Sequence, residues 1–300
     1  VTSASDISRA VVLRSACDLG QIDFVNCLPI THILLKEKPE LLSLVMGAPG
    51  NLNKQYRDKG LDLGAMSSHY FLEDGGFELF PNISISSQGA VGSVLFFCRG
   101  SVAELRQAKG ASGNKIKIGV PQASASSVRL LHILLVECYD LVPDFVALAD
   151  PRPDYPRPDQ PSTSDQDLDG FLLFGDRALT IDHGMEQSGL IKDFERIDLG
   201  QWWFEKYHLP MVFGVWAARK SWIAKNPEDF AAISTYLADS YGKGLGPEFQ
   251  AVVTEAALRT GLSPARMRQY YHHELDYTYT AEHAEGLQLY YDLCKKHDLL

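Results

Sequence analysis

Residues 115–136 constrain the rest of the chain most, because a strand, a small-residue turn and a mostly apolar helix follow one another there without a spacer. Lys115 to Val120 alternates apolar and polar side chains and stops at Pro121, the pattern of a strand with two unlike faces. Ser124, Ser126 and Ser127 follow where a helix begins, and a serine hydroxyl there accepts a bond from a backbone N–H that the first turn leaves unpaired. Val128, Leu130, Leu131, Ile133, Leu134, Leu135 and Val136 surround nearly the whole helix, so it is expected to be buried on most faces and to hold its N-terminus in a fixed place. The remaining N–H groups and the positive helix end can hold a carboxylate or phosphate; the same residues serve equally as an ordinary cap with no ligand.

Units of the same kind recur along the chain. Gly20 to Val25 reads as a strand, and Pro29 opens a helix that runs through Leu35. Leu41 to Met46 is a second strand, Leu52 to Lys59 a helix stopped by Gly60, and Leu61 to Met66 a third strand. Ser67 and Ser68 then cap a turn of helix carrying His69 to Leu72. This alternation implies a mainly parallel sheet covered by helices. Ile83 to Ser87 and Val91 to Cys98 are strand-like around Gln88, Gly89 and Ala90; Phe171 to Phe174, Phe194 to Leu199 and Met211 to Ala217 are further strands. Beyond them the pattern predicts helices over Pro227–Tyr241, Pro247–Thr260, Pro264–Tyr271 and Ala281–His297, packing back on the first lobe. Residues 150–165, with five prolines, read as an exposed, semi-extended loop.

Charge and composition exclude several classes. A net charge of −10 without any run of Lys and Arg argues against nucleic acid as a partner, so an anionic ligand needs local help from helix ends, hydroxyls and single arginines. No apolar run approaches the ~18 residues of a membrane span. Ala10 to Leu13 is short for a secretory core, and five cysteines without a CxxC pair read as reduced thiols of a cytoplasmic protein. No P-loop, GxGxxG or GxSxG is present, and the nine histidines lack metal-site spacing; His272, His273 and Glu274 read as surface residues at a helix end. No cofactor and no metal are expected. If the chain is an enzyme, proton transfer and positioning are its chemistry. Trp202, Trp203 and Trp216 are candidates to line a pocket, though tryptophan more commonly packs in a core.

Small polar residues stand at five strand ends: Asn26, Ser67 with Ser68, Ser87 with Gly89, Ser126 with Ser127, and Gly175 with Asp176. Ligands of open α/β sheets bind outside the carboxyl ends of strands, so these five ends can converge on one cleft. Each also has a plain local use. Asn26 can be a turn residue, Ser67 and Asp176 helix caps, and Gly89 part of a tight turn.

Taken together, LGQIDFVNCLP at 19–29, LDLGAMSSHYF at 61–71, ISISSQGAVGSVLFFCR at 83–99, SASSVRLLHILL at 124–135, LLFGDRAL at 172–179 and DLGQWWFEKYHLPMVFGVWAAR at 198–219 resemble the chorismate dehydratase family of the futalosine route to menaquinone. The resemblance runs in order from about residue 18 to the C-terminus. It implies an α/β fold of the type II periplasmic-binding-protein kind, two lobes joined by two crossing strands with the ligand between them. The crossings are expected near Leu95–Arg99 and Val212–Ala217, which gives an N-terminal extension at 1–17, a first lobe at 18–97 and 213–300, and a second lobe at 98–212. The activity implied is loss of water from chorismate, a dianion, to give 3-[(1-carboxyvinyl)oxy]benzoate. By resemblance Ser126, Ser127 and their helix N-terminus bind a carboxylate; Asn26, Ser67, Ser68, Ser87 and Gly89 contact substrate from the other lobe; and Asn26, Ser87 and Asp176 are catalytic, with Asp176 hydrogen bonding near the leaving hydroxyl. His69 follows the serine pair at a position the family does not require, and the base is left open between a protein group and the substrate's own enolpyruvyl carboxylate, the second being the hypothesis taken forward. The extension and the loop at 150–165 depart from the family's pattern. Two alternatives share the fold: a solute-binding protein without chemistry, and the sister enzyme 1,4-dihydroxy-6-naphthoate synthase.

Overall fold

In the computed structural model, which describes residues 13–109, 115–120, 125–148, 168–188 and 194–300, ten strands form two five-stranded sheets. Residues 1–12, Ser124 and the proline-rich stretch 150–165 lie outside the described residues. The first part of the chain runs β1 (Cys17–Ile22), a 3-10 turn at Val25–Cys27, α1 (Leu28–Glu37), β2 (Leu42–Gly47), α2 (Pro49–Arg57), β3 (Leu63–Ser67), α3 (Ser68–Asp74) and β4 (Phe77–Ser87). The middle runs β5 (Val94–Arg99), α4 (Val102–Lys109), β6 (Lys115–Val120), α5 (Ala125–Tyr139), β7 (Val142–Ala147), β8 (Gly170–Phe174), α6 (Asp176–Ser188), β9 (Phe194–Asp198) and α7 (Leu199–Tyr207). After β10 (Met211–Arg219) come α8 (Lys220–Ile223), α9 (Pro227–Leu245), α10 (Phe249–Thr260), α11 (Pro264–Gln269), one π-turn at Tyr270–Glu274 and α12 (Ala281–Lys296).

The two sheets repeat one plan. The first is ordered β2-β1-β3-β10-β4 and the second β7-β6-β8-β5-β9. In each, three strands lie parallel, and the fourth position is taken by an antiparallel strand. That strand is β5 in the second sheet and β10 in the first, so the chain crosses between lobes twice, as the two-lobed expectation requires. Sheet membership changes between Ser87 and Val94 and again between Asp198 and Met211, so the limits expected after Phe97 and Val212 fall inside β5 and β10.

Several elements differ from the sequence reading, for identifiable reasons. β1 ends at Ile22 rather than Val25, because the chain tightens into the 3-10 turn ahead of α1. Gln21 on that strand is wholly buried: its Nε2 donates to Thr31 Oγ1 at 2.9 Å, and its Oε1 accepts from Trp216 Nε1 at 3.0 Å. β4 is six residues longer at its start than expected and runs through Pro81, which an edge strand tolerates because its outer N–H groups need no partner. β7 is absent from the sequence reading because Pro143 stands inside it, and it too lies at a sheet edge. α7 is likewise additional; Asp198 caps it by accepting from Gly200 N at 2.9 Å and Gln201 N at 3.1 Å. Trp203 and Trp216 are fully buried in the main core, and Trp202 packs edge-on against Tyr139, so the three tryptophans are packing groups rather than a pocket wall.

The C-terminal helices brace the first lobe, and α12 reaches the second as well. α9 and α10 pack on α1, while α12 touches β10, α3 and α5. Tyr290 Oη donates to Ser126 O at 3.2 Å, and Lys296 Nζ pairs with Glu137 at 2.7 Å. The N-terminal segment is anchored from Leu13, which is buried, and Arg14 N–H donates to Asp229 Oδ1 at 2.8 Å.

α9 approaches α1 so closely at Gly244 that a Cβ there would collide with the Pro29 carbonyl. Gly244→Ala is therefore expected to destabilise the fold by about 1–3 kcal/mol through overpacking. Denaturant unfolding of the two proteins measures this, and equal midpoints would contradict the close approach.

Candidate functional site

The two sheets face each other across an open cavity, whose empty space is about 570 Å³ with its mouth included. From the first lobe its wall is built by Ile22, Phe24, Asn26, Cys27, Pro49 and Ser67, with Ile85, Phe213 and Gly214 behind. The second lobe supplies Val94, Ser126, Ser127, Phe174 and Gly175, and the first crossover supplies Val91 and Ser93. Most of these residues stand at or just beyond strand ends, where the fold leaves side chains uncovered between the lobes.

Asn26 sits in the 3-10 turn, and its backbone is held by tyrosines far away in sequence. Tyr277 Oη donates to Asn26 O and Tyr271 Oη to Val25 O, each at 2.7 Å. The side chain is less constrained: Asn26 Oδ1 is buried without a hydrogen-bond partner in a residue that lines the cavity. A buried amide oxygen left unpaired is unfavourable by about 1–3 kcal/mol, which a bound ligand can recover.

The serines present hydroxyls in fixed roles. Ser67 caps α3, accepting from Tyr70 N at 3.2 Å and from Asn53 Nδ2 at 2.9 Å. With both acceptor positions used, its proton remains to donate. Ser126 Oγ accepts from His69 N at 3.0 Å and lies 3.1 Å from Ser68 Oγ. Ser68 donates its one proton to Phe213 O at 3.3 Å, which leaves Ser126 as donor between the two hydroxyls. This chain joins the lobes and orients the start of α5, beside which Ser127 lines the cavity.

Asn26, Ser67, Ser126 and Ser127 thus come together in one wall, whereas Ser68, Ser87, Gly89 and Asp176 do not line it. Ser68 supports Ser126 from behind. Ser87 Oγ donates to Gly89 O at 2.9 Å, and this turn, with Gly89 at φ +124°, packs against Gly200 of α7. Asp176 accepts from Val25 N at 2.9 Å across the lobes. Its carboxyl is pushed up to about 6, chiefly by burial and further by Asp23, against the pull of the Val25 hydrogen bond and Arg259.

Sequence reasoning missed the aromatic walls Phe24, Phe174 and Phe213, although the first two precede Asn26 and Gly175 by no more than two positions. It also missed Ser93, which accepts from Tyr270 Oη at 2.8 Å, and Asp198, which accepts from Val91 N and Gly92 N and so ties the first crossover to α7. Among the described residues lining the cavity none is Asp, Glu, His, Lys or Arg. The Cys27 thiol is pushed far above the usual thiol range by burial, with Asp176 and Asp23 adding to it. His69, just behind the wall, is held down to about 4 by burial and by Arg129, so it is neutral near pH 7. No group of three His, Cys, Asp or Glu among the described residues is placed to hold a metal ion. The cavity can therefore bind an anion through neutral donors and a helix start while offering apolar walls to a ring.

The two sheets and the cavity between them define a two-lobed α/β fold of the periplasmic-binding-protein kind. Protein AF1704 from Archaeoglobus fulgidus superposes with a TM-score of 0.68 at 14% identity, covering 95% of this chain and 98% of that one. The alkanesulfonate-binding protein SsuA from Xanthomonas axonopodis pv. citri, bound to MOPS, gives 0.60 at 14% identity over 96% and 95% of the two chains. Within that class the chain belongs to a family described as menaquinone biosynthesis, whose model matches residues 17–296. A chorismate dehydratase from Thermus thermophilus is 29% identical over 264 residues, 84% of this chain and 86% of that protein. No helix of the described residues is long and apolar enough to cross a membrane.

The raised carboxyl of Asp176 has a consequence for stability. The folded state binds its proton more tightly than the unfolded chain, so the stabilisation it provides is present below the ordinary value of 3.8 and is lost as pH rises through about 6. Asp176→Asn cannot titrate, so its stability relative to the wild type should rise by about 2–3 kcal/mol across that window. Denaturant unfolding at pH values on both sides of it measures the difference, and a difference independent of pH would contradict the assignment.

Proposed function

We propose that this protein is a chorismate dehydratase, a hydro-lyase that converts chorismate to 3-[(1-carboxyvinyl)oxy]benzoate and water. Family membership and the Thermus thermophilus relative support the reaction over a solute-binding role or the synthase acting on a larger intermediate. The observation that carries the mechanism is the absence, among the described wall residues, of any side chain that can take a proton near neutral pH. A ring with two carboxylates would bind between Phe24, Phe174 and Phe213, one carboxylate meeting the Ser127 end of α5 and the Ser67 hydroxyl, and the ring side of the substrate meeting Asn26.

The base is then the substrate's own enolpyruvyl carboxylate, held beside the ring carbon that carries the departing proton. It takes that proton, and the C–H electron pair becomes a ring double bond. The neighbouring C–O bond breaks with its electron pair, and the departing hydroxide takes the same proton back from the carboxylic acid and leaves as water, which regenerates the carboxylate and leaves an aromatic ring. Water-poor apolar walls make that carboxylate a stronger base than in bulk solution, because burial disfavours its charged form. What this chain's residues do is bind, orient and exclude water. Reduced Cys27, Cys98 and Cys294, all buried and unpaired, support placement in the cytoplasm.

Incubation of the purified protein with chorismate, followed by mass spectrometry, is expected to give a substituted benzoate lighter by one water. Asn26→Ala should lower kcat by roughly 10²–10³-fold, the effect of losing one aligned polar partner at the reacting centre, with little change in unfolding midpoint. Unchanged chorismate, or a variant with wild-type kinetics, would move the function elsewhere.

A further inference from the structure

The lobes meet at the cavity through two short segments of matched chemistry. On the first lobe, Phe24, Val25 and Asn26 pass from extended backbone into the 3-10 turn. On the second, Phe174, Gly175 and Asp176 pass from the end of β8 into α6. The Phe24 and Phe174 rings lie 6.3 Å apart at 57°. Gly175 has φ +64°, and a Cβ on it would lie 3.0 Å from the Phe24 ring, so that ring rests on bare backbone. One residue on, Val25 N–H donates to Asp176 Oδ1 at 2.9 Å.

Val25 is fully buried, so its N–H must find a partner when the lobes close, and among the described residues Asp176 of the second lobe supplies it. Asp176 does not line the cavity. Its bonded oxygen faces the backbone of the residue that precedes Asn26 rather than the space a substrate would occupy.

We infer that Asp176 is a positioning residue: its carboxylate, carried on the second lobe, fixes the Val25 N–H and through it aims the Asn26 carboxamide into the cavity when the lobes are closed. The inference rests on the reading of Asn26 as a substrate contact. The tyrosines Tyr271 and Tyr277 hold the carbonyl side of the same turn from within the first lobe, so Asp176 adds a hydrogen bond to it that depends on closure. This role requires an acceptor at position 176 and neither a negative charge nor a transferable proton.

Four variants test it: Asp176→Ala, Asp176→Asn, Asn26→Ala, and Asp176→Ala with Asn26→Ala together. Asp176→Ala should lower kcat by about 10–100-fold with KM within about threefold, as misplacement of a reacting group does. Asp176→Asn, which still presents an Oδ1 acceptor, should recover kcat to within about fivefold of wild type. In the Asn26→Ala background, Asp176→Ala should cost less than about twofold more, because residues acting through one another are not additive. An Asn variant as impaired as the Ala variant, or an undiminished Ala effect in the Asn26→Ala background, would overturn the inference.

A second readout does not involve chorismate. Amide hydrogen exchange at Val25 should speed up by about tenfold or more in Asp176→Ala and stay near wild type in Asp176→Asn. Unchanged exchange in Asp176→Ala would overturn the positioning role. If that protein fails to fold, an Asn variant that keeps Val25 protection yet loses about 100-fold or more in kcat does so instead. A wild type that leaves chorismate untouched would sink the proposed reaction, while the exchange comparison would still decide the role of Asp176.

Discussion

The turn at Val25–Cys27 depends on three hydrogen bonds whose partners come from distant parts of the chain. Tyr271 and Tyr277 hold its carbonyls from the C-terminal region, and Asp176 holds its first N–H from the opposite lobe. Without them a short 3-10 turn has little to keep one geometry, since it makes few bonds of its own. With them Asn26 stands at a fixed place in the wall. The long C-terminal return of the chain is therefore part of the site, because π-turn residue Tyr271 and the following Tyr277 lie beyond α9 and α10, which pack on α1, and α11, which packs on α10.

Electrostatics explain how a chain of net charge −10 can favour an anion. The wall itself carries no acidic side chain among its described residues, and two carboxyl groups close to wall residues are turned onto backbone N–H groups: Asp176 onto Val25 N, and Asp198 onto Val91, Gly92 and the start of α7. What faces inward is a set of hydroxyls, one carboxamide and the first turn of α5, all neutral dipoles that need no counter-charge. Neutral donors bind a carboxylate without neutralising it, so a bound carboxylate keeps its capacity to accept a proton. That property links the composition of the wall to a mechanism in which substrate supplies the base.

Much of the fold can be read from the sequence because its strands alternate or run apolar and its helices begin at Pro or Ser; β6 matches its sequence reading residue for residue. Two of the elements that escape such a reading, β7 and α7, owe their form to context: an edge position that tolerates Pro143, and an aspartate cap whose carboxylate also serves the crossover. The cavity is legible where its wall coincides with strand ends, at Asn26, Ser67, Ser126 and Ser127. It is illegible where long-range packing decides. Nothing in the sequence says that Ser87 bonds to Gly89 behind the wall, that Phe24 rests on Gly175, or that tyrosines some 250 residues downstream of Asn26 hold its backbone. Those facts exist only once two lobes and a returning C-terminus are assembled.

In this mechanism the cavity provides orientation and the substrate provides the base. A chorismate analogue whose enolpyruvyl carboxylate is converted to the neutral amide separates the two contributions. It is followed under single-turnover conditions at saturating protein, with binding monitored separately. The analogue is expected to bind in the cavity and to remain undehydrated. Dehydration of the bound amide at a rate near that of chorismate would contradict the mechanism and require a proton acceptor from the protein.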